Sequence, residues 1–193
     1  MPNRSERGMP SQEDEIRTRC TFHVYDPATM PWETVRDDVM GIEEAQFGED
    51  GFWEEQLKAG FTDDENTAVI VKDNDKIVGF TYSLPTTAVY SHPEHYAWYN
   101  EELGRTANED TAYISDIAIH PNYVGHRLAG PMSQLLEEAL RQKGYQHIEQ
   151  DAMMKHGHAA NIEKNYQGRI VKQQQYFDPE ENLGEMIFFR IRL

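Results

Sequence analysis

The chain has 193 residues, with 34 Asp and Glu against 18 Lys and Arg and a formal net charge of −16, so it is the size of one domain and strongly acidic. Such a surface disfavours nucleic acid and anionic membranes and attracts cationic partners, amines included. Cys20, the single cysteine, excludes an intramolecular disulfide or a cysteine-held metal and fits a cytoplasmic protein, and no apolar run approaches the roughly 18–20 residues needed to span a bilayer. Residues 1–16 are polar and charged, without the apolar stretch of a secretory signal, and residues 1–18 read as a disordered leader to a single domain over 19–193.

In chain order, weak alternation over residues 21–25 predicts a first strand, stopped by Pro27 and Pro31. Val35, Val39 and Ile42 recur at helical spacing and predict an amphipathic helix over residues 32–47, punctuated by Gly48 and Gly51. A second, shorter helix is expected over 52–59, with Trp53 and Leu57 on one face. The β-rich runs 67–72 and 76–83 flank turn-forming residues 73–75 and predict a hairpin. Residues 85–110 read as a long irregular stretch holding Tyr90, His92, His95, Tyr96, Trp98 and Tyr99, with a short helix expected over 94–103. Residues 111–120 form the strongest central strand. After a turn at 121–125, Leu128, Met132, Leu135, Leu136, Ala139 and Leu140 mark one face of a helix that reaches Gln142 and stops at Gly144. A strand over 145–153, a helix over 159–167 and strands over 170–177 and 186–193 complete the series. The last strand has Ile187, Phe189, Ile191 and Leu193 on one face. This order of elements predicts a mixed α/β sheet.

One segment carries the chemistry. The strand ending at Ile119 runs through His120-Pro121-Asn122-Tyr123-Val124-Gly125-His126-Arg127 into the helix that opens at Leu128-Ala129-Gly130. Helix N-termini expose unpaired amides and carry positive partial charge, so a strand–glycine turn–helix junction can cradle a diphosphate. Gly125 permits close backbone approach or a positive φ there.

Pro121, Gly125, Leu128, Ala129 and the Leu135-Leu136 pair fall where the GCN5-related N-acetyltransferase (GNAT) family places its motif A, "P-x-x-x-G-x-G" followed by an apolar helix. The segment resembles that motif, and the order of elements matches from about residue 21 to the end of the chain. Two positions depart from the pattern: Arg127 stands in the second glycine's place, and Asn122 stands where Gln or Arg is usual. The later family signature is only echoed, by Ala159-Ala160-Asn161 and Tyr166-Gln167-Gly168.

The resemblance implies a mixed, mostly antiparallel central sheet of six to seven strands flanked by about four helices, with central strands splayed around pantetheine. It implies an N-acetyltransferase that moves an acetyl group from acetyl-CoA to a primary amine of a small molecule or protein, by direct attack in a ternary complex. Ile117, Ala118 and Ile119 would offer backbone groups to the cofactor. Val124, Gly125, His126, Arg127, Leu128, Ala129 and Gly130 would hold the diphosphate, with Asn161 nearby, and Tyr166 would meet the leaving thiolate. The amine must lose a proton to react, and Asp116, Glu43 and Glu44 are the candidate bases. Alternation puts Asp116 and Ala118 on one face of the strand, opposite Ser115, Ile117 and Ile119. His156 and His158 lack an acidic or cysteine partner at metal-binding spacing, so no metal is expected. Residues 90–99 are a candidate wall of an acceptor pocket suited to a cation. The acceptor expectation leans towards cations and leaves a homodimer open. A non-catalytic acyl-CoA-binding module is the second reading, and an acidic interaction protein the third.

Overall fold

The structure, a computed structural model, describes residues 12–48, 51–90, 103–154, 157–178 and 184–193. Among these, seven strands form one open sheet, in the order β1-β2-β3-β4-β5-β7-β6. The strands are β1 (Cys20–Val24), β2 (Thr67–Asp73), β3 (Lys76–Pro85), β4 (Thr111–Ile119), β5 (His147–Met153), β6 (Ile170–Asp178) and β7 (Gly184–Arg192). All neighbouring pairs are antiparallel except β4 and β5. The helices are α1 (Gln12–Arg19), α2 (Trp32–Phe47), α3 (Glu54–Thr62), α4 (Thr86–Val89), α5 (Ala129–Gln142) and α6 (His158–Asn165). Two of these six lie outside the expected set. The leader predicted over residues 1–18 is helical from Gln12 onward, and α4 is a single turn following Pro85. The helix expected over 94–103 falls almost wholly outside the described residues.

Two cores lie on opposite faces of the sheet. Val69, Val71, Val78, Ile114, Ile148, Ile187, Phe189 and Ile191 face Leu128, Met132, Leu136 and Leu140 at the start and along one stripe of α5. Ile70, Ile77, Phe80, Tyr82 and Ala118 face Val35, Val39 and Ile42 of α2 and Leu57 and Phe61 of α3. Each such side chain contributes about 1.5–3 kcal/mol by leaving water. The period-2 alternation of β2 and the heptad-like spacing of α2 and α5 are what sort the residues between the cores. Trp53 departs from expectation. It precedes α3 and is 75% exposed, whereas Leu57 on the helix proper is fully buried.

Two irregularities position the site. The β3–β4 register slips between Tyr82 and Ser83, which oppose Asp116 and Ile114, leaving Ser115 as an extra residue on β4. The bulge lets Ile114 and Ile117 face α5 alike while Asp116 and Ala118 face α2. Ser115, expected opposite Asp116, donates its hydroxyl to Tyr82 in the α2–α3 core (3.2 Å). Second, β4 and β5 pair only through Thr111–Tyr113 and His147–Glu149. Beyond that point β5 continues its pairing with β7 as far as Met153, and the edge of β4 facing β5 has no strand partner among the described residues. No described helix is long and apolar enough to cross a membrane.

Gly60 of α3 lies against the Tyr82 ring, and a Cβ there would sit 2.6 Å from a ring carbon. Gly60→Ala is therefore expected to lower the unfolding free energy by about 1–3 kcal/mol. Gly41→Ala, in mid-α2 where a Cβ meets nothing within 4 Å, is expected to raise it by about 0.5–1 kcal/mol. Denaturant midpoints measured side by side check both signs.

Candidate active site

At its end β4 enters a tight passage into α5. The His120 amide donates to the Val78 carbonyl (2.9 Å), and its Nδ1 accepts from the Asn122 amide (3.2 Å), which sets the short helical turn Pro121–Tyr123. Gly125 follows at φ +91°, with open space where a Cβ would be, so conformation and not crowding requires glycine. Arg127 takes φ +59°. That left-handed backbone explains why a glycine suits this position, and an L-residue there costs about 1–2 kcal/mol. The Arg127 side chain is exposed, leaving the backbone uncrowded.

Leu128 is buried and fixes the start of α5, and its carbonyl accepts the Met132 amide (3.2 Å). No side chain caps this end; Ala129 and Gly130 are exposed, and Pro131 has no amide hydrogen. The amides of Ala129 and Gly130 are thus first-turn donors turned to solvent, where an anion fits. Of the β4 residues expected to meet the cofactor, Ile117 and Ile119 are half-buried on the α5 face, while Ala118 is fully buried towards α2.

On the other face the structure brings together two candidate bases. Glu43 near the end of α2 and Asp116 on β4 are 2% and 7% exposed, and their carboxyl groups are close enough to act on one another. Glu43 Oε1 accepts the Phe52 amide (2.7 Å). As carboxylates, neither Glu43 Oε2 nor Asp116 Oδ2 would have a donor. One proton held between them satisfies both oxygens. Burial, then the neighbouring Glu43, pushes the Asp116 carboxyl up to about 9, and burial raises Glu43 as well. The chain crosses Glu43 closely at Gly51, where a Cβ would lie 3.1 Å from Glu43 Cγ. Glu44, the third candidate, is exposed. Both glutamates border a cavity of about 520 Å³, open to solvent, that Asp37, Met40, Phe52 and Trp53 also line.

Sequence reasoning missed a buried polar network where β4 and β5 part. Arg105, with a 4% exposed side chain, pairs with Asp151 (2.5 Å) and lies over the Phe188 ring (4.3 Å). The Tyr113 hydroxyl donates to the same carboxylate (2.9 Å). Tyr90 donates to Glu149, whose other oxygen accepts from Arg190 Nε (2.6 Å). Burial raises the hydroxyls of Tyr90 and Tyr113 above the ordinary phenol value, so both remain donors. The signal was present in β5, where Glu149 and Asp151 alternate with Ile148 and Ala152. Beyond Tyr90, the aromatic stretch proposed to wall an acceptor pocket lies outside the described residues.

A model of the acetyltransferase (GNAT) family matches residues 32–162. The chain belongs to this family. No curated protein matches it by sequence. Among solved structures, the ribosomal-protein-S18-alanine N-acetyltransferase from Escherichia coli is 13% identical with a TM-score of 0.60, covering 90% of this chain and 93% of its own. The NatC complex bound to Gag peptide and CoA gives 12%, 0.65, 91% and 99%. An aminoglycoside 6'-acetyltransferase type Ii gives 13%, 0.64, 89% and 96%. These likenesses show the GNAT fold.

The residues that echo the later GNAT signature sit on and after α6. Asn161 is exposed, with its amide bonded to the Gly157 carbonyl (3.1 Å). Tyr166 is buried after the last turn of α6. Burial, followed by the charge of Glu137 on α5, raises its hydroxyl well above the ordinary phenol value. Glu137 also receives Arg141 (2.8 Å) and Arg169 (2.7 Å). His158 opens α6 and is exposed. His156 lies outside the described residues.

Because the Asp116 carboxyl holds its proton more tightly folded than unfolded, the folded state binds more protons between the ordinary carboxylate range and about 9. Stability is expected to be fully present in acid and to fall across that window, at no more than about 1.4 kcal/mol per pH unit for each proton. Asp116→Asn should flatten this slope and leave the protein more stable than wild type at pH 8–9. Urea unfolding between pH 5 and 9 measures it. Separately, Arg127→Gly is expected to gain up to about 1 kcal/mol by relieving the left-handed backbone.

Proposed function

We propose that this protein is an N-acetyltransferase that moves the acetyl group of acetyl-CoA to a primary amine by direct attack in a ternary complex. The observation that carries this reading is the parting of β4 from β5. It leaves a strand edge without a strand partner among the described residues, beside uncapped helix amides and with two carboxyl groups on the sheet face towards α2. The diphosphate would lie against Val124–Gly130, and pantetheine would follow the free edge at Ile117–Ile119. The amine nitrogen attacks the thioester carbon, the carbon–sulfur bond breaks, coenzyme A leaves as the thiolate, and the nitrogen gives up a proton. An amide on β4 facing the carbonyl oxygen would stabilise the charge that grows there. The Glu43–Asp116 pair accepts the amine's proton, directly or through water, once its own shared proton has gone. Holding both reactants in one cleft supplies much of the remaining acceleration.

The acidic cavity beside Glu43, with its exposed Trp53, supports a cationic acceptor, because carboxylates and an indole face both attract an ammonium group. Buried, unpaired Cys20 supports residence in the reducing cytoplasm. A second reading, a non-catalytic acyl-CoA-binding module, is favoured by one observation: Tyr166 is buried, with the charge of Glu137 disfavouring loss of its proton.

Calorimetry with coenzyme A, followed by acetylation assays over a panel of amines, separates the two readings. Catalysis predicts turnover with at least one amine, and about a 10²–10⁴-fold loss of kcat/KM in Asp116→Asn. It also predicts activity that climbs with pH as the carboxyl pair loses its proton. Coenzyme A binding with no turnover on any amine would establish the second reading, and absence of binding would reject both.

A further inference from the structure

The turn that precedes α5 is mostly exposed: Asn122, Val124, Gly125 and Arg127 lie in solvent, and Val124 is 58% exposed. Such a segment has little packing to hold its amides in one orientation, and Arg127 adds a strained backbone within it. Tyr123 and His126 are half-buried, and Tyr123 is held from outside the turn. Its hydroxyl donates to Asp73 Oδ2 at 2.8 Å, and among the described residues this is the side-chain hydrogen bond that ties residues 121–128 to another element.

Asp73 ends β2 and is 6% exposed. Its carboxylate is held from two further directions. Arg19, the last residue of α1, places Nε at 2.8 and 2.9 Å from the two oxygens and Nη2 at 2.7 Å from Oδ2. Asn74 Nδ2 donates to Oδ1 at 3.1 Å, from a residue that itself takes φ +56°. The Arg19 guanidinium holds the Asp73 carboxyl below the usual carboxylate range, with Tyr123 adding to the effect. The acceptor of the Tyr123 hydroxyl is therefore a fixed anion, and charge-assisted bonds of this kind are short and directional.

We propose that Asp73 is a positioning residue for cofactor binding. Oriented by Arg19, it clamps Tyr123 and so keeps the amides of Gly125 and of residues 127–130 aimed at the diphosphate, those of Val124 and His126 being bonded within the turn. This rests on the reading of that turn as the coenzyme A site. It makes the end of α1 a working part of the site, although Arg19 lies far from it in sequence and never touches the ligand. The order it imposes is on the free protein, so it acts by lowering the conformational cost of binding.

The test uses the full chain with Tyr123→Phe, Asp73→Asn and Arg19→Ala. Ile77→Val, in the opposite core, serves as a control for small losses of stability. Hydrogen exchange on the free protein should show faster exchange at residues 121–130 in the three variants, with none in the control. Coenzyme A affinity by calorimetry should fall about tenfold, as expected for one charge-assisted hydrogen bond. The KM for acetyl-CoA should rise to match, with the acceptor KM and the kcat at saturating acetyl-CoA unchanged. Unchanged exchange at the turn, or coenzyme A affinity within twofold of wild type in Tyr123→Phe, overturns the proposal. A fall in kcat with no change in the KM for acetyl-CoA overturns it too. If the wild type itself takes up no coenzyme A, the functional reading fails, and the exchange measurement still decides whether the clamp orders the turn.

Discussion

Two strands that begin side by side and part after three paired residues shape everything else in this molecule. Along Thr111–Tyr113, β4 and β5 complete each other's hydrogen bonding, and past Tyr113 they do not. A backbone edge left unpaired within a domain is costly unless water or a ligand satisfies it. Here β5 turns its pairing to β7, while β4 is bent by the bulge at Ser115. Arg105, Asp151 and Tyr113 lie together on the face opposite α5. The opening is thus built into the sheet, with bonded polar groups at its root.

Much of this architecture was legible because it depends on local periodicity. The bounds of α2 follow from Val35, Val39 and Ile42, and those of α5 from its apolar stripe and Gly144, which takes φ +95° past the helix end. Regularities of this kind survive in a single sequence because they reflect which side of an element meets the core. The single turn α4 and the helical end of the leader were missed. Gln12–Arg19 has no apolar stripe to announce it; Ile16 packs on the core, and Arg19 pairs with a residue 54 positions away.

The site divides in the same way. Asp116 and Glu43 could each be nominated from the sequence, but their meeting depends on a helix crossing a strand, and no spacing encodes that. The bulge was likewise invisible, since Ile114 and Ile117 read as ordinary alternation until an extra residue is inserted between them. Arg127 is the instructive case. The sequence marked it as a departure from the family pattern, and only its backbone angle gives the reason glycine is usual there. Arg105 carried no signal at all, because its long-range partners Asp151 and Phe188 come from strands that adjoin it only in the folded chain.

The two cores have a consequence for how such a protein changes over time. Each face of the sheet has its own set of apolar residues, and the strands stand between them like a party wall. Substitutions among α2, α3 and the loop joining them alter one room without disturbing the furniture of the other. On the proposed reading, selectivity for the amine can therefore drift by repacking one layer, while the grip on the shared acyl donor stays intact behind the sheet.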